Sequence, residues 1–125
     1  MPRPVHFELP CDDLVRAKKF YAEVFGWKIE KWQGPIDYWM VMTGDKGQMG
    51  IDGGLIQRNQ PGESTTNTLD VEDLDAALAK VTANGGTEVM PKHEIPGVGW
   101  LAYCKDTEGN IFGMMQPDPA MMPAN

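Results

Sequence analysis

Apolar residues along this chain recur with two periods. Leu14, Ala17, Tyr21, Val24 and Phe25 fall at helical spacing, and Leu74, Ala77, Leu78 and Val81 do so again further on. An acidic residue precedes each stripe, Asp13 before Leu14 and Asp73 before Leu74. A carboxylate there accepts from the unpaired N–H groups of a first helical turn. Glycine closes both stripes, Gly26 the first and Gly85–Gly86 the second. Elsewhere the alternation is strand-like, and it predicts strands near residues 4–9, 26–33, 37–43, 48–56, 65–70, 87–91, 98–105 and 110–116. In the first, VHFELP, the pleat sends His6 and Glu8 to one face and Val5, Phe7 and Leu9 to the other.

The pattern repeats. Asp13 and Asp73, Leu14 and Leu74, Ala17 and Ala77, and Gly26 and Gly86 are each sixty positions apart. So are Leu9 and Leu69, Ile51 and Ile111, and Gly53 and Gly113. The matches fall on caps and core positions, which marks an internal repeat. Each half reads as strand, helix and three strands, an α+β arrangement of two βαβββ modules. The first spans about 4–57 and the second about 65–117, with a polar, turn-rich linker at 58–64 and a tail at 118–125. Half a chain of this size buries too little by itself, so the halves are expected to form one 125-residue domain.

Charge narrows the partners. Eleven basic residues stand against 18 acidic ones, a net charge of −7, which argues against nucleic acid or an anionic membrane as a partner. No run approaches the roughly 18 apolar residues of a membrane span, and the first ten residues lack a signal peptide's apolar core. The expectation is a cytoplasmic protein whose two cysteines, Cys11 and Cys104, are buried thiols outside any disulfide framework.

Taken in order, H-F-E near the start, D-D-L…F-Y…F-G-W, G-G-L-I-Q-R, I-P-G-V-G-W and D-T-E-G-N-I-F-G resemble the vicinal oxygen chelate superfamily of glyoxalases, extradiol dioxygenases and bleomycin- and fosfomycin-resistance proteins. The likeness covers roughly residues 4–117 and is nearest to the glyoxalase-like group. It implies a cupped mixed sheet made by two modules around a cavity, a homodimer, and a small-molecule ligand. In metal-dependent relatives the first and last strands of each module supply the ligands. By resemblance and the sixty-residue offset those positions are His6, Thr66, Gly53 and Gly113. Only His6 suits a divalent metal, and a catalytic metal ordinarily needs about three protein ligands. No metal or other cofactor is therefore expected. Asp52 would face away from the Gly53 position on a regular strand, and His93–Glu94 is expected in a loop over the cup.

The resemblance puts the His6 face inward, so His6, Glu8, Thr66, Thr68, Gly53 and Gly113 are the candidate pocket residues, with Trp100 at the rim after the turn-rich Gly97-Val98-Gly99. Glu8 could act as general base with His6 as its acid partner, supporting lyase- or isomerase-type chemistry without a metal. Alternatively the two satisfy each other or the Thr66 and Thr68 hydroxyls. A metal-dependent glyoxalase-like or dioxygenase-like enzyme and a drug-sequestering protein without chemistry both stay open. Phosphate-loop spacing, a serine nucleophile elbow and a cysteine nucleophile motif are all missing from the sequence.

Overall fold

The computed structural model describes residues 2–34 and 37–118. The tail expected at 118–125 lies, beyond Asp118, outside the described residues. The chain divides into two compact units, one running from Val5 to Thr66 and the other built on the chain from Asn67 onward with the segment before Val5.

The first half holds β1 (Pro4–Cys11), α1 (Leu14–Phe25), β2 (Lys28–Lys31), β3 (Tyr38–Met42) and β4 (Asp52–Gln57). Its strands run in the order β2-β3-β4-β1, with β1 parallel to β4 and the other neighbours antiparallel. Asp13 caps α1 by accepting from Arg16 N–H at 3.0 Å. The helix ends at Gly26, whose φ of 73° lets its N–H reach back to Ala22 O, a conformation a side chain would strain. The α1 stripe covers one face of the sheet. Cys11, Ile29, Val41 and Leu55 are buried there, with Phe7, Leu9, Leu14, Ala17, Tyr21, Trp27 and Trp39 packed around them. Removing that apolar area from water is the main force holding helix to sheet.

The second half repeats the plan with β5 (Thr66–Asp70), α2 (Leu74–Ala83), β6 (Thr87–Ile95), β7 (Gly99–Lys105) and β8 (Ile111–Pro117). Strand order is β5-β8-β7-β6, again with one parallel pair, β5 and β8. Asp73 caps α2 by accepting from Ala76 N–H at 3.1 Å. Val71, Leu74, Ala102, Cys104 and Met114 form the core beneath α2. Both cysteines are free and buried, and burial pushes both thiols up from their ordinary pKa. The architecture is α+β, two βαβββ modules each with a mixed sheet.

Two elements depart from the sequence reading. β4 starts at Asp52 rather than near 48, because Gly47 and Gly50 sit at φ 91° and 140° in the turn before it. β6 runs on through Pro91, His93 and Glu94 to Ile95. The expected His93–Glu94 loop is therefore strand, with His93 opposite Leu101 and Glu94 opposite Trp100. Register shifts after Glu88 and after Met90 absorb the proline, which a strand tolerates at a sheet edge or a bulge.

Candidate functional site

The parallel pairing of β1 with β4 sets the site. His6 lies beside Asp52, Phe7 beside Gly53 and Glu8 beside Gly54. Phe7 and Leu9 belong to the helix-side core, so alternation sends His6 and Glu8 to the opposite face, with Asp52 and Gly54 for neighbours.

This corrects the reading of Gly53. A Cβ on Gly53 would meet the Phe7 side chain at 2.6 Å and Phe7 O at 2.4 Å, so that position faces the helix layer. The last-strand position on the His6 face is Gly54, and Asp52 points with it. The second module makes the same point: Thr68 pairs with Gly113 as Glu8 pairs with Gly54. The repeat offset is sixty at β1 and β5 but fifty-nine at β4 and β8. One extra residue in the first module shifts the pairing, and on a strand one residue exchanges the faces.

Gly54 is covered by Tyr38. A Cβ there would stand 2.1 Å from both Cζ and Oη of the phenol, so only glycine leaves room for the ring. From that place Tyr38 Oη hydrogen-bonds His6 Nε2. The two rings lie 6.2 Å apart at 16°, and Trp32 meets Tyr38 edge-on at 6.1 Å. A backbone bond from Trp32 N–H to Tyr38 O, 2.8 Å, holds the β2–β3 hairpin that presents both rings. Asp52, beside His6, accepts from Thr43 N–H at 2.9 Å.

Electrostatics keep the aromatic pair uncharged near neutrality. Burial lowers the His6 pKa below 6.5, with the Asp52 carboxylate opposing the shift. Burial raises the Tyr38 phenol well above its usual range, and the Glu8 carboxylate adds to the rise. A neutral imidazole and a protonated phenol can each donate or accept one hydrogen bond, according to the imidazole tautomer.

In the second module Thr66 and Thr68 share a face of β5, Thr68 being 3% exposed. Gly113 lies on that face, where a Cβ would meet Thr68 Oγ1 at 2.9 Å and the Tyr103 ring at 3.3 Å. Trp100 does not join them. It packs against the core beneath α2, with Lys92 Nζ 5.7 Å from its ring, and its strand partner Gln116 accepts from Leu74 N–H at 2.9 Å. The rim position expected for Trp100 is thus corrected to the helix side. Counting by twos from the buried Ala102 would have placed it there.

The residues present do not suit a chelated metal. On the relevant faces the strand positions hold His6, Gly54, Thr66 and Gly113, and the space beside Gly54 is filled by a phenol. Among the described residues, no three His, Cys, Asp or Glu side chains gather to hold an ion. A cleft of about 570 Å³ opens at the far end of β1 between α1 and residues 58–65, but neither His6, Glu8 nor Tyr38 lines it. Arg58 there is committed to the fold, donating to Asp12 Oδ1 at 2.9 Å, Pro10 O at 3.2 Å and Glu63 O. No helix among the described residues is long and apolar enough to cross a membrane.

Comparison with known proteins bears on the fold and the family. The family described as "Bleomycin resistance protein-like N-terminal" matches residues 3–44, which include His6, Glu8 and Tyr38. A glyoxylase-like domain-containing protein of Didymella fabae is 31% identical over 113 residues, 86% of this chain and 88% of that protein. Among solved structures, a hypothetical protein from Bacillus halodurans C-125 superposes with a TM-score of 0.72 at 12% identity, covering 99% of both chains. Methylmalonyl-CoA epimerase from Mycobacterium tuberculosis superposes with a TM-score of 0.71 at 14% identity, covering 94% of this chain and 89% of its own. At those identities the superpositions speak for the fold, and the Didymella fabae relative speaks for the family. The chain belongs to the vicinal oxygen chelate superfamily, among its glyoxalase-like members.

Proposed function

We propose that this protein binds a small organic molecule on the His6–Glu8 face of its first module and holds it by hydrogen bonding rather than through a chelated ion. The supporting observation is the His6–Tyr38 hydrogen bond, made on the face where Glu8 stands next along the strand. Such a face offers a donor, an acceptor and a carboxylate within a few ångströms of backbone. With Glu8 as base and His6 as its partner, the same groups support a proton transfer on the bound molecule. The likeness of fold to methylmalonyl-CoA epimerase favours that isomerase-type reading. Capture without turnover is the second reading, favoured by the bleomycin resistance-like match across residues 3–44.

A thermal-shift screen of metabolites and antibiotics tests binding. A ligand present at a hundred times its Kd adds about 2.7 kcal/mol to stability, a rise of several degrees. Hits are then titrated by calorimetry against wild type, His6→Ala and Glu8→Gln. Weakened binding in both variants is the expected result, and a hit that binds all three equally removes this face from the function. Deuterium exchange into the bound hit, present in wild type and lost in Glu8→Gln, separates turnover from capture.

A further inference from the structure

Tyr38 has no part in the acid–base pair described so far, yet its placement is the most constrained feature of this face. The phenol lies over Gly54, at the strand position from which a chelating relative would project a ligand, and touches His6. Its ring is in contact with the rings of both Trp32 and His6. When the imidazole proton sits on Nε2, His6 donates to Tyr38 Oη and the phenol O–H is left to donate to another acceptor. The charges nearby also select. By strand register this face carries Glu8, Asp52 and Glu30 against one cation, Lys28, and both Glu30 and Lys28 lie out on the exposed edge strand β2.

We propose that Tyr38 is a specificity-determining residue that donates a hydrogen bond to an uncharged carbonyl-type oxygen of the ligand, and that Gly54 is the positioning residue that gives it room. The inference rests on the binding reading above and names the class of ligand. An anionic oxygen is disfavoured because Glu8 acts on the donor, Asp52 stands beside its partner His6, and no cation on the inner strands of this face offsets them.

Two probes sharing a six-membered carbon ring test it: cyclohexanone, an uncharged acceptor, and cyclohexanecarboxylate, an anionic one. Each is titrated into the full chain while the Tyr38 and His6 ring signals are followed by NMR. Cyclohexanone should shift both rings in wild type, bind about fivefold more weakly in Tyr38→Phe, and bind at least as weakly in Gly54→Ala. Adding Gly54→Ala to Tyr38→Ala, in which the whole ring is gone, should weaken ketone binding no further, since Gly54 acts only through Tyr38; a merely structural glycine would give additive losses. Cyclohexanecarboxylate should bind wild type at least tenfold more weakly than the ketone. Equal ketone affinity in Tyr38→Phe, a preference for the carboxylate, or no shift of either ring overturns the proposal. A screen hit weakened by His6→Ala but indifferent to Tyr38→Phe also overturns it, while leaving the binding reading standing.

Discussion

Replacing Gly54 by alanine tests the geometry of the site without any ligand. The new methyl would lie 2.1 Å from Cζ and Oη of Tyr38, where ordinary contact begins near 3.4 Å. The ring must therefore retreat by more than an ångström, which takes its hydroxyl from His6 Nε2. Overpacking of this kind costs about 1–3 kcal/mol, and the lost hydrogen bond about 1 kcal/mol more. For a domain of this size the sum is a fall in Tm of roughly 5–15 °C, read by calorimetry or circular dichroism. The sharper form is a double-mutant cycle. In a Tyr38→Ala background the clash is gone, so Gly54→Ala should cost nothing or stabilise by about 0.5 kcal/mol, as alanine does over glycine within a strand. Gly53→Ala is the contrast. Its methyl meets the Phe7 backbone oxygen at 2.4 Å as well as the ring, so Phe7→Ala cannot relieve it. If Gly54→Ala costs as much with Tyr38→Ala as without it, the phenol does not lie over Gly54 and the site is wrongly built.

Three further outcomes are expected. The lowered His6 pKa means that the folded form binds fewer protons than the unfolded chain between its own pKa and 6.5. Stability should therefore be full above pH 6.5 and decline as pH falls below it, and His6→Gln should flatten that part of the curve in pH-dependent urea melts. Asp13→Ala and Asp73→Ala each remove a cap bond of 3.0–3.1 Å and should each cost about 1 kcal/mol in denaturant melts; a cap that costs nothing contradicts the helix start. Stripping the protein with chelator and adding zinc or nickel should leave Tm within a degree, whereas a stoichiometric ion that raises it by several degrees would restore the metal-dependent reading.

The two helices were legible in the sequence to within a residue at their starts because a capping aspartate and an apolar stripe are local signals. A strand was expected near each of the eight observed, most plainly where one face is buried and alternation survives, as in β7. The faces of β4 were not legible. Asp52, Gly53 and Gly54 carry almost no apolar pattern, and the repeat numbering aligned Gly53 with Gly113 although register aligns Gly54 there. Counting by twos back from Leu55, which is fully buried, would have separated Gly54 from Gly53. Tyr38 was visible only as one aromatic among many. What distinguishes it is a neighbour two strands away, and pairing between β3, β4 and β1 is not written in any one of them. Trp100 was misplaced because a glycine-rich turn suggested a rim, while its alternation with Ala102 and Cys104 turned it toward α2.

The irregular course of β6 bears on how this chain meets a foreign strand. A sheet border with a full row of open amides and carbonyls invites a stranger's strand to zip alongside it. At one border of the second module stands β6, whose Pro91 supplies no amide and whose two slips in register break the row. At the border of the first stands β2, only four residues long. Neither offers a template for continuous backbone pairing, so a foreign strand gains little purchase at either border, and the protein's resistance to such zipping rests on one proline, two slips and a short strand.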